Sequence, residues 1–185
     1  MSKKFLIETP RLKLRDFIKE DFNLLFSLHS NVEVVKTTID GIQNEEQIKA
    51  HLQNFITHQE KYGYSQFAVF EKETGEFIGR AGITNRALNA EIGLKPEVRF
   101  AFLPKAWNKG YASEVTKYLL EFSFIKMQLD EVSASSGVHN EASYKVLTKN
   151  GFVCLGEIVP FGYETNNKVK YYLIKKSDFN EKFKK

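Results

Sequence analysis

Strand-like and helical patterns alternate through the second half of this chain, and that alternation most constrains its fold. Residues 98–103 form an apolar, strand-like run stopped by Pro104. Gly110 then opens a helical pattern with Tyr111, Val115, Tyr118, Leu119 and Phe122 on one face. Residues 129–135 read as a strand, and 140–150 as a shorter helix that Gly151 closes. Two closing strands follow at 152–159 and 169–174. A strand–helix–strand order requires a crossover connection, so it predicts a βαβ unit with parallel pairing.

The first half reads differently. Arg11-Leu12-Lys13-Leu14-Arg15 alternates polar and apolar, as a half-buried strand does. Asp21 is placed to cap a short helix carrying Phe22, Leu25, Phe26 and His29 on one face. Asn44 is placed to cap a second, whose apolar face is Ile48, Leu52, Phe55 and Ile56 and whose end is Gly63. Residues 66–70 and 77–83 form a hairpin around Glu73-Thr74-Gly75-Glu76. This half predicts an antiparallel meander, and the whole a mixed α/β class. No Pro/Gly/Ser-rich linker and no repeat divides the chain. Residues 1–185 are therefore expected to be one domain, with its core at about 7–174.

Composition narrows the functional classes. With 42% hydrophobic and 27% charged residues, the chain is neither disordered nor low-complexity. Its one cysteine, Cys154, has no disulfide partner and no companion His or Asp in a nucleophile motif. It is expected to be a small buried hydrophobe. The four histidines show no ligand spacing, so no metal is expected. No apolar run approaches the roughly 18 residues of a membrane span, and the N-terminus lacks a secretory apolar region. A soluble protein of a reducing compartment such as the cytoplasm is the expectation. The formal net charge is +4, but residues 1–5 carry +2 and 175–185 carry +3. The remaining 6–174 sum to −1, so the basicity belongs to solvated tails and no nucleic-acid partner is expected.

The loop before the first long helix of the second half is suited to an anion. It runs Leu103-Pro104-Lys105-Ala106-Trp107-Asn108-Lys109-Gly110-Tyr111-Ala112-Ser113-Glu114. The first N–H groups of a helix lack partners, and the macrodipole is positive there. Gly110 and Ala112 allow close approach, and Asn108 tolerates left-handed backbone. Lys105, Lys109 and Lys117 add positive charge against Glu114. The pattern is neither a P-loop nor a dinucleotide fingerprint, and alone it fits an ordinary strand–helix turn equally well. Asn140, likewise, could serve only as a helix cap.

Taken together, two stretches carry a resemblance. Trp107-Asn108-Lys109-Gly110-Tyr111-Ala112-Ser113-Glu114 follows Pro104. Then comes Asn140-Glu141-Ala142-Ser143-Tyr144-Lys145-Val146-Leu147-Thr148-Lys149-Asn150-Gly151-Phe152, about 30 residues later. The pair resembles the GNAT acetyltransferase superfamily, and within it the RimJ/RimL-type protein N-terminal acetyltransferases. Thr9-Pro10-Arg11-Leu12-Lys13-Leu14-Arg15 and Phe77-Ile78-Gly79-Arg80-Ala81-Gly82 resemble the same branch. The resemblance spans roughly residues 7–174.

It implies a GNAT fold: a central, mostly antiparallel sheet with one splayed parallel strand pair, flanked by helices. It implies acetyl-CoA as co-substrate and no metal. Phe100, Ala101 and Phe102 would pair the pantetheine arm. Asn108, Lys109, Gly110, Tyr111, Ala112 and Ser113 would wrap the pyrophosphate, and Asn140 would reach the cofactor from the second strand's exit. The chain has Asn108 where most relatives have glycine, and Leu147 where many superfamily members have tyrosine.

The implied reaction is direct attack of a neutral amine on the thioester. It needs a base for the amine, donors for the oxyanion and a partner for the thiolate. Glu97, where RimJ/RimL-like relatives commonly carry Glu, is the candidate base. Ser143 is the candidate partner of the sulfur, with Leu147 unable to donate. Phe22, Phe26, Phe55 and Tyr62 are core residues that could also line an acceptor pocket. The expected partner is an amine acceptor, either a protein N-terminus or a small amine such as an amino acid, polyamine or antibiotic. The chain is expected to act as a monomer or homodimer. A non-catalytic CoA-binding module is the alternative that Leu147 raises. A polyamine acceptor would favour an acidic pocket lining, and a peptide acceptor an open groove.

Overall fold

A computed structural model describes residues 6–38 and 41–183. Lys3, Lys4, Lys184 and Lys185 of the expected tails lie outside those residues.

Eight strands form one sheet in the order β1-β2-β3-β4-β5-β6-β8-β7. β1 (Ile7–Glu8), β2 (Leu12–Asp16), β3 (Gln66–Glu71), β4 (Phe77–Ala87) and β5 (Leu94–Phe102) make the expected antiparallel meander. β1 was not anticipated, because two residues are too few for alternation to register. β6 (Glu131–Gly137) pairs parallel to β5, and α4 (Tyr111–Glu121) is the crossover between them.

The second crossover yields no further parallel pair. After α5 (Glu141–Lys149) the chain runs out to the sheet edge as β7 (Val153–Ile158). β8 (Val169–Lys175) then inserts between β6 and β7, antiparallel to both. Burial explains the order. Val169, Tyr171, Tyr172 and Ile174 of β8 are buried, whereas β7 is exposed almost throughout.

Helices cover both faces. Neighbouring residues of a strand point to opposite faces, and Ala68 and Val69 of β3 belong to different cores. Ala68 packs with Leu25 of α1 (Phe22–His29) and with Ile48 and Leu52 of α3 (Glu45–Tyr62). Val69 shares a core with Val98 of β5, with Val115 and Leu119 of α4, and with Phe179 of α6 (Lys176–Phe183). A one-turn helix, α2 (Val32–Val35), follows α1.

Local expectations fare unevenly. Asn44 caps α3 as predicted, accepting from Gln47 N–H at 2.9 Å while Gln47 Oε1 accepts from Asn44 N–H at 2.9 Å. Asp21 does not cap α1. Its carboxylate takes a bidentate pair from Arg15, at 2.5 and 2.9 Å, and accepts from Ile18 N–H at 3.0 Å. The C-terminal segment read as a basic tail is instead α6. It is anchored by Phe179, whose ring lies 5.3 Å from Phe124 and 5.0 Å from Phe183. Cys154 is exposed rather than buried, because β7 is an edge strand.

Candidate active site

β5 and β6 pair only at Glu97 with Ser133 and at Val98 with Ala134. Beyond that point β5 continues to Phe102 and β6 to Gly137 without pairing each other. A cleft of about 690 Å³ occupies the splay. The Leu103 N–H donates to the Ile78 carbonyl at 2.9 Å. In an antiparallel ladder the bonding direction alternates, so the amides of Phe100 and Phe102 turn to the open side. Trp107 Nε1 donates to the Phe102 carbonyl at 2.7 Å, which ties the following loop to the end of β5.

That loop has the backbone the sequence predicts. Asn108 has φ 59° and Gly110 has φ 80°. The first ladder bond of α4 runs from Glu114 N–H to the Gly110 carbonyl at 3.0 Å. The N–H groups of Tyr111, Ala112 and Ser113 therefore precede the helix ladder. Thr9 and Arg11 hold Glu114, the acid of the first turn, and their hydrogen bonds outweigh its desolvation to lower its pKa.

Phe100, Ala101, Phe102, Asn108, Gly110, Tyr111, Ala112, Ser113, Asn140 and Ser143 all line this one cleft. Lys109 does not. Its ammonium lies 5.9 Å from the Tyr111 ring, and its carbonyl accepts from Arg11 Nη1 at 2.9 Å. The predicted lysine cluster is dispersed as well. Lys105 pairs with Glu76, and Lys117 lies 5.4 Å from the Phe183 ring. None of the three lines the cleft, so what the loop offers an anion there is its backbone.

Asn140 caps α5, accepting from Ser143 N–H at 2.9 Å, and donates to the Thr37 carbonyl at 3.0 Å. It thereby fastens the segment after α2 to the rim of the cleft. Glu97 is 0% exposed and lies behind the lining. Ser135 donates to its Oε1, and Arg86 Nη1 stands 3.5 Å from both Glu97 Oε2 and Ser135 Oγ. Both partners line the cleft. Leu147 also lines it and offers no proton. Phe22, Phe26, Phe55 and Tyr62 are absent from the lining. Phe22 and Phe55 pack on the α1–α3 core, while Phe26 and Tyr62 are exposed.

Sequence reasoning missed three arginines in the lining: Arg80, Arg86 and Arg99. Arg80 is 5% exposed and donates to Gln66 Oε1 at 2.7 Å and His29 Nε2 at 3.2 Å. Burial, then the charge of Arg80, pushes His29 down to about 3, so it stays neutral. Among the described residues no group of His, Cys, Asp and Glu could hold a metal, and no helix is long and apolar enough to cross a membrane.

This cleft, between a single parallel pair and the open end of a helix, sits in a chain that belongs to the GNAT acetyltransferase family. Residues 11–153 match the family described as Acetyltransferase (GNAT) domain. The uncharacterized N-acetyltransferase YoaA of Bacillus subtilis is 32% identical over 163 residues, which cover 86% of this chain and 89% of that protein. An acetyltransferase structure from Bacillus anthracis superposes with TM-score 0.75 at 26% identity, covering 94% of this chain and 99% of the other. Two more distant structures share the fold. A Vibrio cholerae spermidine N-acetyltransferase in complex with CoA and spermine has TM-score 0.71 at 19% identity, covering 91% and 97%. A RimL ribosomal L7/L12 alpha-N-protein acetyltransferase in complex with coenzyme A has TM-score 0.74 at 17% identity, covering 93% and 98%.

Proposed function

We propose that this N-acetyltransferase binds acetyl-CoA in the β5–β6 splay and transfers its acetyl group directly to an α-amino group. The observation that carries the reading is one continuous cleft joining the unpaired end of β5 to the open N-terminus of α4. The pantetheine arm would add to β5 through the amides of Phe100 and Phe102, with Ala101 between them. The pyrophosphate would lie on Asn108, Gly110, Tyr111, Ala112 and Ser113. Lys109 contributes through its backbone, and Asn140 by holding the rim. The CoA complexes of the two distant neighbours support acetyl-CoA as co-substrate.

Glu97 serves as the base through Ser135. The amine hands its proton to Ser135 Oγ as that hydroxyl passes its own to Glu97. An α-amino group has a pKa of about 8, so a modest base suffices. As the amine nitrogen bonds the acetyl carbon, the C–S bond breaks and Ser143 offers a hydrogen bond to the leaving sulfur. We read residues 1–185 as one such domain working in the cytoplasm, and the RimJ/RimL-like motifs as the reason to prefer an α-amino acceptor. The test is thiol release from acetyl-CoA across α-amino peptides, amino acids and other amines. Turnover on α-amino groups supports the assignment. CoA binding with no acceptor would instead make the protein a binding module, the reading that Leu147 favours.

A further inference from the structure

Thr9-Pro10-Arg11 carries part of the family resemblance, and the proposed reaction gives it no role. These residues lie in the turn between β1 and β2. Thr9 and Glu114 are 105 positions apart in the chain, yet Thr9 Oγ1 donates to Glu114 Oε1 at 2.6 Å. The Arg11 N–H donates to the same oxygen at 2.9 Å, and Arg11 Nε donates to Oε2 at 2.7 Å. Thr9 is buried, and its Oγ1 also accepts from the Leu12 N–H at 2.9 Å. The Arg11 carbonyl accepts from the Lys72 N–H at 2.9 Å, which fixes its backbone to β3. Its guanidinium lies 4.6 Å from the Tyr111 ring centre.

The same guanidinium backs the loop. Arg11 Nη1 donates to the carbonyl of Lys109, which stands between the left-handed Asn108 and Gly110. In a trans peptide the C=O and the next N–H point in opposite directions. The Gly110 N–H therefore turns away from Arg11. Gly110 lines the cleft and Arg11 does not. Arg11 thus stands behind the loop, where it acts on a cleft anion through its neighbours rather than by contact.

Glu114 is the neighbour that matters. An acid in the first turn suits the helix dipole, but its charge opposes any other anion at the same N–H groups. Here both its oxygens are engaged and a guanidinium sits on one of them. Glu71, the other acid beside Tyr111, accepts from the Tyr111 hydroxyl and from Thr74 Oγ1, and Lys109 and Lys105 offset its charge. The Arg11 side chain is 48% exposed, so a pair of this kind contributes little to stability by itself.

We infer that Arg11 is a positioning residue for the cofactor, cancelling the charge of Glu114 so that the N-terminus of α4 accepts a pyrophosphate. The inference rests on the reading of that loop as the pyrophosphate site.

The experiment measures acetyl-CoA affinity of the full chain by calorimetry at low ionic strength. Arg11→Gln should weaken binding by about 10-fold, because it leaves an acid without its cation near the phosphates. Adding Glu114→Gln to Arg11→Gln should return affinity to within about threefold of native. Glu114→Gln alone should bind at least as tightly as native, and Arg11→Lys, which keeps the cation, should stay within about threefold. A contact that merely fastens the β1–β2 turn to α4 predicts the opposite sign, since the second substitution removes more of it. Native affinity in Arg11→Gln, a loss that Glu114→Gln leaves in place or deepens, or equal losses in Arg11→Lys and Arg11→Gln each overturn the inference and leave the pyrophosphate reading standing. Failure of the native chain to bind acetyl-CoA overturns that reading, and this one falls with it.

Discussion

The two sides of the cleft are built from different kinds of group. On the α4 side the groups are backbone N–H donors presented by a left-handed Asn108 and Gly110, and the nearby lysines point elsewhere. On the α1–α3 side stand arginines of two strands, with Arg80 held by Gln66 and His29 and Arg86 by Glu97. A backbone site depends on local conformation, and a side chain at Gly110 would strain it through φ rather than through crowding. A side-chain site depends on register and on neighbours, so it bends to pH and to charge. The difference explains why one sequence stretch announces the loop and no stretch announces the arginine face.

Substitution at the loop tests this contrast most severely. Gly110 has φ 80°, which a side chain rarely adopts, and an Asp there adds a negative charge to the proposed pyrophosphate site. Gly110→Asp should weaken acetyl-CoA binding by more than about 100-fold, measured by calorimetry. Unchanged affinity would remove the backbone site from the account.

Glu97→Gln probes the side-chain face. It should lower kcat by about 10- to 100-fold at pH 7. At pH 9 an α-amine of pKa about 8 is already neutral, so the loss should shrink. Equal loss at both pH values would assign Glu97 to holding Arg86 and Ser135.

His29 supplies a pH signature for the same face. Its folded pKa of about 3 lies below the ordinary value of 6.5. Between those values the unfolded chain binds the extra proton, so stability falls as pH drops from 6.5 towards 3. Between pH 7 and pH 5 the native protein should lose about 1–2 kcal/mol more than His29→Gln, measured by urea unfolding. Parallel curves would mean that His29 protonates freely in the fold.

Ser143→Ala should have the smallest effect, about a threefold to tenfold fall in kcat with KM for acetyl-CoA unchanged. Native rates would remove Ser143 from the reaction.

Much of the fold was legible because its signals are local. The Asn44 cap of α3, the 66–83 hairpin and the Pro104–Gly110 turn each lie within one short segment, and each forms as read. Misreadings arose where a neighbour decides. Asp21 had the spacing of a cap but found Arg15 within reach. Cys154 is small and apolar, yet β8 took the inner position and left β7 at the edge. The lysines of α6 hid the periodicity of Phe179. Lys105, Lys109 and Lys117 share a sequence stretch but leave it in different directions.

The amino-acid sequence by itself determined the succession of strands and helices, the single βαβ crossover, the anion-suited turn at Gly110 and the family. Each depends on residues close together in the chain, where dihedral preference and periodicity act. Only the tertiary structure decided which side chains line the cleft. Arg80, Arg86 and Arg99 share a face because β4 and β5 pair without a slip, and His29 reaches Arg80 because α1 packs on that face. Register and packing are long-range outcomes, and a period of two residues says that a side chain points to one face without saying what waits there.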